Sequence, residues 1–326
     1  MNRIKLFTHS DLDGIGCAVL AFLVFGRENV EVEYCGYDNV DGKIREFYLC
    51  NQEPYDAVYI TDISVDDEVA EEIDGLVNAV GYKTKWHLLD HHATALRLNE
   101  HIWADVRVEM EDGVQTCGTE LFYEHLMENG YFEHYTVAQL QNIHRFVEIV
   151  RDYDTWRWKT ELGEEGIVCK QVNDLFHIYG REEFIEWCMD RLIYFGSYPE
   201  FPCFGQIDEV LLNQKQKEID IYVAQKDKQL TTMIDKFGYT YGVVFAERYA
   251  SELGNRLSET HNELDYIVMI DISTGTVHYR TVKDDIDLGG EIAHSFGGGG
   301  HRKAAGSTFD SDIVKMLVLN EVFGDV

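Results

Sequence analysis

The stretch Ile4-Lys5-Leu6-Phe7-Thr8-His9-Ser10-Asp11-Leu12-Asp13-Gly14 decides the reading of this chain. The apolar run Ile4–Thr8 reads as a short strand, and metal-ligand side chains follow it at alternate positions: His9, Asp11 and Asp13. Residues two apart on extended backbone point to the same side, so the three can converge. Gly14 then permits a tight turn into a helical pattern that runs to Gly26.

Outward from this segment, strand-like runs recur at Val30–Tyr37, Ala57–Ile63 and Thr84–Leu89. Helical patterns occupy Val65–Val80, Gly118–Asn129, Val137–Val150 and Arg181–Tyr194. Short apolar runs alternating with helices predict an α/β domain with a parallel sheet and helices on both faces. Asp62 falls at the end of the third run, and Asp90-His91-His92 at the end of the fourth. Strand ends in such a sheet lie side by side, at the edge where these folds bind ligands. A lone aspartate after a strand is commonly a helix cap; here the signal is the recurrence of ligand-type residues at matching positions. Carboxylates with imidazoles and no thiolate favour Mn²⁺, with Mg²⁺, Fe²⁺ or Co²⁺ as substitutes, over zinc. Four or more oxygen donors and two histidines suit a pair of divalent cations, roughly 3.5–4 Å apart, better than one.

Composition sets bounds on partners and compartment. The 326 residues are 45% hydrophobic and 27% charged, the profile of a globular protein long enough for two cores. The seven cysteines are scattered without a CxxC pair, which argues against a disulfide framework or a structural zinc site. The first residues lack the apolar core of a secretory signal, and Ala18–Phe25 is too short to span a bilayer. A cytoplasmic protein without a membrane partner is expected. The net charge of −31 disfavours a grip on long nucleic acid, which calls for a basic surface. An anionic substrate therefore has to be short and locally neutralised.

The second half carries another signal. Ser197–Gly205 holds two of the three prolines and reads as a boundary. Polar, periodic Ile207–Phe237 reads as a connecting helix. Strands are expected at Tyr241–Ala246, Tyr266–Ile272 and Thr276–Val282, and helices at Ser251–His261 and Leu288–Phe296. The expected layout is a catalytic domain over 1–200, a linker helix over 201–236 and a smaller α/β domain with a mixed sheet over 237–326. Gly297-Gly298-Gly299-Gly300-His301-Arg302-Lys303 then offers backbone N–H groups in a nest, with cationic side chains beside it, in an otherwise acidic chain. A glycine run alone is usually a flexible loop; the basic residues that follow make it a candidate anion site. Trp156-Arg157-Trp158 could stack a base, although such spacing more often packs a core. The histidines at 101, 125, 134, 144, 177 and 261 read as surface or packing residues.

These motifs together resemble the DHH phosphoesterase family, named for a triplet like Asp90-His91-His92. His9–Gly14 resembles its first motif, Asp62 its second, and Ile149–Asp154 its fourth. The glycine loop resembles the DHH-associated C-terminal domain. The resemblance implies one cation on His9, Asp11 and Asp62, and another on Asp13, Asp62, His91 and Asp152. Asp62 bridges them, and His92, Asp62 and Asp90 are carried over as catalytic. In the fourth motif the hydrophobic register points to Asp152, whereas the Asp-Thr dipeptide common in relatives points to Asp154; Asp152 is favoured. Arg280, Gly298, Gly299, Gly300, His301 and Arg302 are implied as substrate-binding, with Thr281 where the family often has serine.

Within the family the layout looks most like nanoRNase-type oligoribonucleases, and Arg151–Trp156 points to the B branch. The implied activity is Mn²⁺-dependent hydrolysis of short single-stranded RNA, about two to five nucleotides, to nucleoside monophosphates. Alternatives are a phosphatase of 3′-phosphoadenosine 5′-phosphate, a linear-dinucleotide phosphodiesterase, a single-strand DNA exonuclease, a pyrophosphatase or a non-catalytic nucleotide-binding module. The oligomeric state stays open, with a homodimer among the options.

Overall fold

A computed structural model describes residues 3–50, 55–194 and 201–324 of the chain. Two compact units divide at Leu212/Asn213. The first contains β1 (Ile4–His9), α1 (Leu12–Phe25), β2 (Val30–Cys35), α2 (Val40–Cys50), β3 (Ala57–Thr61), α3 (Asp67–Val77), β4 (Lys85–Asp90) and β5 (Ala104–Val106). It continues with α4 (Gly118–Glu128), α5 (Val137–Asp154), the one-turn α6 (Arg157–Thr160), α7 (Ile167–Tyr179) and α8 (Arg181–Met189). The strands form one sheet in the order β2-β1-β3-β4-β5, with every pair parallel.

Both faces of this sheet are covered, as a parallel sheet requires. On one side Leu6 and Tyr59 pack with α1, α4, α5, α7 and α8. On the other, Phe7, Ile60 and Leu88 pack with α2 and α3. Helix α1 is apolar on nearly every face and all but Val24 of it is buried, which suits a helix held between sheet and outer helices. Asp11 caps it by accepting from the Gly14 N–H at 3.1 Å. A Cβ on Gly14 would lie 2.1 Å from the His9 carbonyl oxygen, so the close return of helix on strand admits no side chain. Leu20, wholly buried in α1, illustrates the packing energy: truncation to alanine costs about 2–5 kcal/mol at such sites.

The second unit begins within α9 (Gln206–Asp227). It adds β6 (Thr231–Ile234), β7 (Thr240–Phe245), α10 (Ala250–Thr260), β8 (Tyr266–Asp271), β9 (Thr276–Arg280), β10 (Gly299–His301), β11 (Ala304–Thr308) and α11 (Ser311–Phe323). Its sheet runs β10-β11-β9-β8-β7-β6; β7 and β8 are parallel and the other pairs antiparallel. Helix α10 covers one face through Leu253 and Leu257, and the helical turns of Leu288–Phe296 cover the other through Leu288 and Ile292.

The architecture agrees with the sequence expectation of a parallel α/β unit followed by a smaller mixed one. Several elements differ. Helix α2 and strands β5, β6, β10 and β11 carry patterns too short or too polar to stand out, and helices α7 and α11 are additions to the sequence expectation. The connecting helix ends at Asp227, because the β-branched Thr231-Thr232 and Ile234 pair with Thr240–Val243 as an edge strand. The unit division falls inside α9, within the stretch expected as a linker. Residues 197–200 of the expected boundary lie outside the described residues.

Candidate metal centre

Most of the ligand-type residues of the first unit come from ends of central strands or the helix turns beside them; Asp154 ends α5. His9 ends β1, and Asp11 and Asp13 lie at the start of α1. Asp62 directly follows β3, and Asp90, His91 and His92 close β4. Parallel pairing of β1 with β3, and of β3 with β4, sets these ends side by side.

Three groups of donor atoms result. His9, Asp11 and Asp62 each place one donor within 4.8 Å of the others, and so do Asp13, His91 and Asp154, and Asp62, Asp90, His91 and His92. Asp62 links them: its Oδ1 lies 3.3 Å from His91 Nε2 and its Oδ2 3.9 Å from His9 Nδ1. His9 Nδ1 is 2.9 Å from Asp11 Oδ2, and this contact raises the His9 pKa above the ordinary histidine value.

Asp62 is fixed in an unfavourable conformation. Its φ of 56° places a non-glycine residue in the left-handed region, at a cost of order 1–3 kcal/mol. The surroundings enforce this: the Asp62 N–H donates to Leu89 O at 3.0 Å, and α4 begins directly against the residue. A Cβ on Gly118 would lie 2.5 Å from the Asp62 Cβ. The same helix start holds Asp13, whose two carboxylate oxygens accept from the Gly118 and Thr119 N–H groups at 2.7 and 2.8 Å. These are the donors that a helix leaves unpaired at its N-terminus, where negative charge is favoured.

Divalent cations fit this set. Asp62 Oδ2 is buried and has no hydrogen-bond partner among the described residues, an arrangement that costs a folded protein free energy unless something binds there. Burial, followed by the charges of Asp13 and Asp11, pushes the Asp62 and Asp154 carboxyls well above their ordinary range. Carboxylates gathered this closely need positive charge to remain ionised together. The donors are oxygen and imidazole nitrogen, the chemistry of Mn²⁺ or Mg²⁺.

The geometry sets the two fourth-motif candidates apart. Asp152 is buried, in line with its hydrophobic register, but it turns to arginines instead of the cluster. Its Oδ1 accepts from Arg151 Nε and Nη2, both at 3.0 Å, and from Arg157 Nη1 at 2.9 Å. Asp154, two residues on and so on the opposite side of α5, lies with Oδ2 3.6 Å from His91 Nε2.

Beside the cluster stands a histidine with a defined partner on each nitrogen. Fully buried Asp90 accepts through Oδ1 from the His91 N–H at 2.9 Å and from His92 Nδ1 at 2.8 Å. Its other oxygen accepts from Ser64 Oγ. The bond to Asp90 raises the His92 pKa. His92 Nε2 meets the Tyr37 hydroxyl at 3.0 Å. Neither Tyr37 nor Ser64 has a sequence signal that marks it, since both lie in turns between elements.

In the second unit Arg280 is half-buried on β9, and among the described residues its guanidinium bonds the neutral acceptors Tyr279 O at 2.9 Å and Ser251 Oγ at 3.3 Å. Burial lowers its pKa. The glycine run is more ordered than a loop of free N–H groups. Gly298 N–H donates to Ala293 O at 2.9 Å, and Gly299–His301 pair with β11. His301 and Arg302 are exposed, the latter bonding Asp284 O through Nε at 3.1 Å. Trp158 packs on the core, whereas Trp156 is partly exposed. Among the described residues no helix is long and apolar enough to cross a membrane.

No family model matches the chain. The parallel sheet with paired carboxylate–imidazole groups at its strand ends defines a metal-dependent phosphoesterase, and the chain belongs to the DHH phosphoesterase family. It is 37% identical over 317 residues to oligoribonuclease NrnB of Bacillus subtilis (strain 168), a match that covers 96% of this chain and 74% of that protein. Two solved structures share the fold. One is the DHH domain of a member of a family of ribosomal proteins, with a TM-score of 0.57 at 14% identity, covering 98% of this chain and 86% of that one. The other is RecJ of Thermus thermophilus in complex with Mn²⁺, with a TM-score of 0.55 at 12% identity, covering 95% and 50%.

Proposed function

We propose that the protein hydrolyses short oligoribonucleotides, about two to five nucleotides long, to nucleoside monophosphates, with Mn²⁺ as its metal. The observation that carries this reading is the set of donor groups joined by Asp62, with its buried Oδ2 unpartnered among the described residues. The resemblance to a relative named as an oligoribonuclease supplies the substrate class.

His9, Asp11 and Asp62 would hold one cation, and Asp13, Asp62, His91 and Asp154 another. Divalent cations at such sites neutralise phosphoryl oxygens and lower the pKa of water. The protein's own groups do the rest. Asp90 fixes His92 through Nδ1, so the ring can offer Nε2 to the leaving oxygen as a hydrogen-bond donor or general acid. Arg280, together with His301 and Arg302, would hold a second phosphate. An acidic surface is compatible with this substrate because binding relies on few contacts and not on a long backbone track.

The test is hydrolysis of end-labelled RNA of two, three, five and twenty-four nucleotides, with Mn²⁺ or with chelator. Rapid Mn²⁺-dependent loss of the shortest RNAs supports the proposal. Activity confined to the 24-mer, or activity that survives strict chelation, contradicts it.

A further inference from the structure

Tyr37 is a large aromatic residue that the core does not use. It follows β2 in a turn closed at both ends: Asn39 N–H donates to Gly36 O at 3.1 Å, and Gly36 N–H to Asn39 Oδ1 at 3.0 Å. The side chain is 62% exposed. It is nevertheless placed by three contacts at the ligand-bearing edge. Its hydroxyl lies 3.0 Å from His92 Nε2, its ring centroid 5.3 Å from that of His9, and its ring stands at 86° to His92 with centroids 5.9 Å apart. Because Asp90 occupies Nδ1, the Nε2 left free on His92 is the atom the phenol holds.

We infer that Tyr37 is a substrate-positioning residue whose exposed ring is the stacking face for the nucleobase beside the scissile phosphate and whose hydroxyl sets the orientation of His92. This rests on the oligoribonucleotide reading above. A base stacked on an aromatic ring is held irrespective of its identity, since every base has a π-face. That suits an enzyme that must accept short RNA of any sequence. It also explains why an apolar surface stays in water at this edge: the ring's partner is the substrate. The phenol holds His92 Nε2 before substrate arrives and yields it to the leaving oxygen on binding, so one residue couples base placement to that histidine.

The ring and the hydroxyl of Tyr37 can be separated by substitution. The probe is a non-hydrolysable dinucleotide carrying 2-aminopurine, whose fluorescence is quenched on stacking, titrated into the full chain with Mg²⁺. Tyr37→Ala is expected to weaken binding roughly ten- to a hundredfold and to abolish the quench. Tyr37→Trp should restore both. Tyr37→Phe should bind within about twofold of the wild type yet lower kcat on a cleavable dinucleotide several-fold, a split that loss of folding would not give. The inference is overturned if Tyr37→Ala binds, quenches and turns over like the wild type while the wild type cleaves the dinucleotide. A wild type that neither binds nor cleaves it overturns the reading beneath, and this inference with it.

Discussion

The edge of the parallel sheet and the glycine-rich turn of the second unit are built on opposite plans. At the sheet edge, polar groups are held by partners that are themselves held. Asp13 sits on two backbone N–H groups, Asp90 on three donors, and Asp62 is forced into a left-handed conformation by the start of α4. In the second unit, His301 and Arg302 are exposed, and the Lys303–Asp284 pair lies in solvent, where such pairs contribute little. The difference separates two tasks. A centre that stabilises charge at a reacting atom gains from donors fixed beforehand, whereas a grip on a variable substrate can order itself on binding. Substitutions of the donor residues at the edge should therefore act on turnover and cation affinity, and those at the turn on substrate affinity.

Asp62→Ala offers the largest test. It removes the residue that joins the donor groups, and turnover at saturating Mn²⁺ should fall on the order of a thousandfold or more. A variant that retains a tenth of wild-type kcat would break the comparison at its strongest point.

Next comes the pair on α5. Asp154→Asn should weaken Mn²⁺ binding on the order of a hundredfold, read by calorimetry, without lowering the Tm of the metal-free protein. Asp152→Asn should do the reverse, costing about 1–3 kcal/mol of stability as Arg151 and Arg157 keep an acceptor but lose the negative charge of their buried partner. Interchanged outcomes would return the ligand role to Asp152.

The Asp62 carboxyl also predicts a change of sign. Its pKa is raised in the folded protein, first by burial and then by Asp13 and Asp11. Above the unfolded value, near pH 4, its ionisation therefore destabilises the metal-free fold, and the penalty grows as pH rises toward the raised value. With chelator at pH 8, Asp62→Asn should raise Tm by a few degrees, and by less at pH 5. With Mn²⁺ present it should lower Tm relative to the wild type. A variant less stable than the wild type in chelator at both pH values would show that no such repulsion exists.

The smallest effect is expected at the turn. His301→Ala should raise KM about tenfold with kcat nearly unchanged. An equal loss of kcat would erase the contrast between the regions.

These tests fall on residues that were legible in the sequence to different degrees. His9, Asp11, Asp13, Asp62, His91 and His92 could be read because the strands that carry them are short, apolar and end in ligand-type side chains. Strand periodicity fixes which residues share a side, and parallel pairing brings the ends together. On α5 the same reasoning failed, since a helix buries polar residues for more than one purpose and the arginine partners of Asp152 come partly from beyond the helix. Tyr37 was illegible because its role depends on a turn that crosses to another strand. The free N–H groups expected along Gly298–Gly300 were partly illusory, because a sequence does not show that the preceding helical turn takes the Gly298 donor or that Gly299–His301 joins a sheet.

The central claim is that two cations sit on either side of Asp62. Anomalous diffraction from crystals soaked in Mn²⁺ tests it most directly. The account predicts two manganese peaks, one contacted by His9, Asp11 and Asp62 and the other by Asp13, Asp62, His91 and Asp154. A peak contacted by Asp152, or no peak contacted by Asp62, would contradict it.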